Sequence, residues 1–193
     1  MFDGWLIGVC LFFHIPKTAG ISISNALFGD VKWGHRSVNF YKSHYGEKVF
    51  NSLYKFCFVR NPYDRLFSAY TFLKEGGINN LDLEFSNSYL HEFASFDEFV
   101  LKGLEKEEIM NWVHFKPQYT FVCDENDNIV MDFVGKMENL NADFNTVCNH
   151  LNIESELQKL NMSATKKNDF SEEVKTMIKL KYQKDFNLFY PDL

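Results

Sequence analysis

The chain has 193 residues, a formal net charge of −6, and a composition that is 46% hydrophobic and 17% aromatic with 21 Phe. That is ample material for a core, which excludes a disordered chain and predicts a single domain over residues 1–193. The acidic balance removes the long-range positive field that a nucleic-acid or anionic-membrane binder uses, so any anion must be held by a local site.

The cysteines Cys10, Cys57, Cys123 and Cys148 show neither a CxxC pair nor metal-ligand spacing, so no metal is expected and a reducing cytoplasmic location is. The apolar stretch over 5–13 is too short to span a bilayer, and Asp3 stands where a signal peptide carries basic residues. Residues 6–13 read as one strand covered on both faces, which predicts a parallel sheet. His14-Ile15-Pro16 ends it, and Lys17-Thr18-Ala19-Gly20 leads into a helix over 21–28 closed by Gly29.

The same order recurs further on. Residues 55–59 form an apolar run, followed by Arg60-Asn61-Pro62 and a helix from Tyr63 to about Lys74 with Pro62 in its first turn. Residues 75–88, rich in Gly, Asn and Ser, read as a surface loop. Ser95 and Glu98 form a capping box that opens a helix to about Leu104, and the acidic run 105–108 reads as solvated surface. Residues 119–123 and 129–134 flank a polar tip, Asp124 to Asn128, as an antiparallel hairpin. An amphipathic helix over 139–151 follows, capped by Asn139 or Asn141, and after a polar segment Ser171 opens the last helix.

Two stretches have the form of phosphate sites. A loop that leaves a buried strand and enters a helix offers free backbone N–H groups and the positive helix end. In residues 14–22, Gly20 permits close backbone approach, Lys17 supplies charge, and Thr18 and Ser22 supply hydroxyl donors. The order differs from the nucleotide-kinase loop GxxxxGK[ST], since the lysine precedes the glycine. In the second stretch Arg60 lies at a strand's carboxyl end, where open α/β sheets bind ligands, and Ser68 follows two helical turns on, placed to share one phosphate with it. Arg65 reads as a solvated helix face.

FFHIPKTAGISI and FVRNPYDRLFSAY together resemble the phosphosulfate loop and the 3′-phosphate motif of the carbohydrate sulfotransferases that use 3′-phosphoadenosine 5′-phosphosulfate (PAPS), the heparan- and chondroitin-type Golgi enzymes and their soluble bacterial-type relatives. The resemblance continues through GHRS, through residues 117–144 and through the terminal KYQKDFNLFYPDL. It implies a P-loop-like, three-layer α/β fold with a mainly parallel central sheet flanked by helices, PAPS as donor with PAP as product, and a carbohydrate or glycoconjugate acceptor. By position, the loop Pro16, Lys17, Thr18, Ala19, Gly20, Ile21 and Ser22 would surround the phosphosulfate, Arg60 and Ser68 would hold the 3′-phosphate, and Lys166 or Lys167 would add a nucleotide contact.

Ile21 departs from the family's KTAGTS by deleting a hydroxyl donor. Sulfuryl transfer needs a base on the acceptor oxygen and positive charge at the leaving phosphate. Lys17 is expected to supply the charge and His35 the base, with Arg36, Gln118 and His114 on the acceptor side. A competing reading is a non-catalytic PAP-, nucleotide- or glycan-binding protein descended from such an enzyme. A P-loop kinase ranks lower, because it needs a lysine after the last glycine and an acidic Mg²⁺ ligand.

Overall fold

The computed structural model describes residues 6–7, 10–29, 34–157 and 169–193. The backbone groups into two compact units, one made of residues 1–60 and 118–163, the other of residues 61–117 and 164–193.

The apolar run at the start divides in two. Strand β1, Leu6–Ile7, pairs antiparallel with β2, Cys10–Phe13, so the run turns back on itself where one strand was expected. Helix α1 is Gly20–Phe28, and α2, Val38–Tyr45, and α3, Glu47–Ser52, precede β3, Tyr54–Val59. Ser37 caps α2 by accepting from Phe40 N–H at 3.5 Å. The second unit then begins with α4, Pro62–Lys74, whose cap Asn61 accepts from Tyr63 N–H at 3.0 Å.

The segment read as a loop holds α5, Asn80–Phe85, which continues into a π-helical turn over Ser86–Leu90. Its polarity misleads because Asn79 and Asp82 cap one another. Asp82 N–H donates to Asn79 Oδ1 at 3.0 Å, and Asn79 Nδ2 donates to Asp82 Oδ2 at 2.9 Å. Helix α6, Phe96–Lys102, starts at the expected Ser95 cap, and α7, Glu107–Asn111, takes up part of the acidic run.

The predicted hairpin is altered. Its first arm is a short helix, α8, Tyr119–Val122. The polar tip does turn, closed by an antiparallel bridge between Cys123 and Ile129. The next strand, β4, Phe133–Lys136, pairs with β3 in parallel. Helix α9, Leu140–Leu151, follows Asn139, and the second unit ends with α10, Glu172–Lys181, capped by Ser171, and α11, Gln183–Phe189.

In the first unit the sheet runs β1-β2-β3-β4, with β2, β3 and β4 parallel. Side chains alternate across it. Phe12, Phe56 and Phe58 face Ile23 of α1 and Phe144 and Val147 of α9. On the opposite face Phe13 meets Tyr41 of α2 at 4.9 Å and Phe50 of α3 at 6.4 Å. Helices therefore cover both faces of a mainly parallel sheet, in the three layers expected. Gly135 is required within β4, because a Cβ there would fall 2.6 Å from the Phe58 ring. Gly135→Ala should cost about 1–3 kcal/mol by overpacking, read as a lower midpoint in thermal unfolding.

The second unit buries much of the phenylalanine. Phe96 meets Tyr70 at 5.4 Å and Phe67 at 5.0 Å, and Phe85 stacks on Trp112 at 4.2 Å. Arg65 corrects the solvated-face reading: it is 1% exposed, and its Nη2 donates to His114 O at 3.3 Å. Arg65 falls on the stripe of α4 that also carries Leu66, Ala69 and Leu73, all buried. Burial pushes the Tyr182 hydroxyl far up; Arg65 pulls it back and Asp185 adds to the rise. Burial likewise raises the Cys57 thiol, with Cys123 adding to it, so Cys57 behaves as an inert core residue.

Candidate active site

At the carboxyl ends of β2 and β3 the first unit gathers most of the expected residues. β2 ends at Phe13, and residues 14–19 carry the chain to α1. Lys17 and Ala19 have φ of 68° and 62°, in the left-handed region, while Thr18 between them does not. Such alternation turns successive N–H groups into one concavity, and non-glycine residues tolerate it only where the surroundings enforce it.

The enforcement is visible. Thr18 is buried, and its hydroxyl donates to Ile15 O at 3.0 Å. That hydroxyl therefore fastens the turn. Gly20 lies beneath the ring of His14.

The opening turn of α1 has no side-chain cap and no acidic residue. Its first helical bond is Ile23 N–H to Ala19 O at 3.2 Å, so the preceding amides have no acceptor within the helix. This end is positive and offers donors to an anion. Lys17 and Ser22 are half-buried, Pro16 is buried, and Ile21 is 58% exposed at the helix start.

Arg60 joins this loop from the end of β3. Its Nη1 donates to Lys17 O at 3.5 Å, and its own backbone is fixed by Gln118. Arg60 N–H donates to Gln118 Oε1 at 2.9 Å, and Gln118 Nε2 donates to Arg60 O at 2.9 Å. Gln118, 0% exposed, thus extends the hydrogen bonding of β3 by one residue. Nothing local in the sequence announces that clamp, since its partner lies 58 residues away.

His35 comes to the same loop. Its Nδ1 bonds His14 O at 2.8 Å, and the two imidazole rings lie 4.5 Å apart. Arg36, exposed, turns over the Phe40 ring at 4.8 Å.

Two of the other expected residues belong to the second unit. His114 is buried in the second unit, its Nε2 3.4 Å from Asp82 Oδ1 and its ring 5.1 Å from Phe72. Ser68 is half-buried on α4 of the second unit. Lys166 and Lys167 lie outside the described residues. Among the described residues no cluster of His, Cys, Asp and Glu is arranged to hold a metal ion, and no helix is long and apolar enough to cross a membrane.

Residues 9–191 match the sulfotransferase family. The chain belongs to that family. The match spans nearly its whole length, so both strand-to-helix loops lie within the sulfotransferase region. An uncharacterized protein of Archaeoglobus fulgidus is 31% identical over 115 residues, covering 58% of this sulfotransferase-family chain and 78% of the archaeal one. No solved structure matches.

Proposed function

We propose that the chain transfers a sulfuryl group from PAPS to a hydroxyl of a carbohydrate or glycoconjugate. The observation that carries this reading is the loop itself: left-handed Lys17 and Ala19 ahead of an uncapped helix start, with the Arg60 guanidinium on the Lys17 carbonyl. Loop amides, a lysine and an arginine stand at one strand-to-helix turn, in a chain whose overall charge of −6 would otherwise repel a polyanion. Family membership supplies the chemical class.

In this reading the loop amides and Lys17 bind the phosphosulfate, and Arg60 binds the 3′-phosphate. His35 takes the proton of the acceptor hydroxyl as that oxygen bonds to sulfur. The bond from sulfur to the phosphate oxygen breaks in line, and Lys17 stabilises the charge left on the phosphate. Donor and acceptor supply every atom of the transfer.

One observation favours a second reading. Ile21, exposed at the start of α1, presents a methyl-bearing side chain where a hydroxyl would assist, which suits a protein that binds PAP without turnover.

Calorimetric titration with PAP tests the donor site without knowledge of the acceptor. Wild type is expected to bind, Lys17→Ala and Arg60→Ala to bind more weakly, and adenosine 5′-phosphate to bind poorly for want of the 3′-phosphate. Each lost charge-assisted contact should cost about 1.5–3 kcal/mol, roughly 10- to 150-fold in affinity. A folded wild type that ignores PAP would end the proposal. PAP binding with no sulfate transferred to any member of an acceptor panel would favour the binding protein.

A further inference from the structure

His14 directly follows β2 and touches both halves of the proposed machinery. Its ring, 8% exposed, stacks on Phe12 at 5.8 Å and leans against the His35 ring at 4.5 Å. The same ring covers the α-carbon of Gly20, where an added Cβ would fall 1.8 Å from His14 Cδ2 and 2.0 Å from Nε2. The first residue of α1 is therefore packed directly under an imidazole that rests on the sheet core.

The carbonyl of His14 does something different. It lies 2.8 Å from His35 Nδ1, and a carbonyl oxygen only accepts. Nδ1 of His35 must carry the hydrogen, which leaves the lone pair of the neutral ring on Nε2. A base needs its lone pair on the nitrogen that meets the proton, so this bond decides which edge of His35 is basic.

We propose that His14 is a positioning residue that places the anion-binding loop through its ring and fixes the tautomer of His35 through its carbonyl, tying the donor loop and the base to one point of the sheet. The functional meaning of this role rests on the transferase reading above. The role itself is a property of the folded chain without ligand.

Long-range proton–nitrogen NMR on the full chain reads it directly. Wild-type His35 is expected to carry its proton on Nδ1. His14→Phe keeps a flat ring over Gly20 and should keep both that tautomer and wild-type PAP affinity. His14→Ala removes the ring, frees the loop, lets His35 redistribute toward the Nε2–H form, and should weaken PAP binding about tenfold. A residue that merely filled space would lower the unfolding midpoint in His14→Ala and leave the His35 signal unmoved.

The proposal is overturned by a wild-type His35 protonated on Nε2, by a folded His14→Ala with wild-type tautomer and affinity, or by His14→Phe losing the tautomer. Should His14→Ala fail to fold, wild type and His14→Phe decide the matter. Wild type with the expected tautomer but no affinity for PAP would sink the transferase reading and leave the positioning role standing.

Discussion

Gly20→Ala should weaken donor binding about 100-fold and destabilise the fold together. The new methyl would sit 1.8 Å from the His14 ring, far inside contact distance. The ring has little freedom to retreat, because Phe12 and His35 lie at 5.8 Å and 4.5 Å on its flanks. Overpacking of this kind costs about 1–3 kcal/mol, and a shift of about 1 Å in a binding loop can cost about 100-fold in affinity. Thermal unfolding and PAP titration measure the two effects separately. Adding His14→Ala to Gly20→Ala removes the collision, so the stability losses of the single variants should sum to more than that of the double. Strict additivity would mean that the ring and the α-carbon are not in conflict and that the cost arises elsewhere.

His35→Ala should separate binding from chemistry. The His35 bond is to the carbonyl of residue 14, a group that cannot itself donate to an anion, so PAP affinity should stay within about twofold. Removing a general base costs about 100- to 10,000-fold in turnover, which should appear in the release of PAP from PAPS with a competent acceptor. Equal losses in affinity and rate would make His35 part of the donor site. An unchanged rate would remove it from the mechanism.

Residues 10–13 and 55–59 were legible as strands because the first is apolar throughout and the second from Phe56 on, each stopped by a breaker and followed by a helix start. Their register and the faces of their alternate side chains were not legible, since an all-apolar strand carries no period that marks a face. The segment over 75–88 was misread although Asn79 and Asp82 show the same three-residue cap spacing that revealed Ser95 and Glu98. The Gly and Asn around it outweighed that signal. The arm at Tyr119–Val122 failed for another reason: four residues are too few to distinguish alternation from a single helical turn.

Arg65 shows the limit of treating charge as surface. Its position in the repeat of Leu66, Ala69 and Leu73 placed it inward, and position decided. In the site, the loop from His14 to Ser22 was readable from residue types, and the GHRS stretch pointed to His35. The crossing contacts that fix them, Gln118 to Arg60 and His35 to His14, join residues 58 and 21 positions apart, and no local pattern encodes such a pairing.

The bonded pair of Arg60 and Gln118 marks where the chain leaves the first unit and where it returns. The two ends of that excursion are fastened like the clasp of a necklace, so its contour length is uncoupled from the placement of Arg60. Doubling such a loop adds only about 0.6 kcal/mol of closure entropy. Segments of quite different size and composition can therefore be strung between these two residues without retuning the arginine that closes the ring.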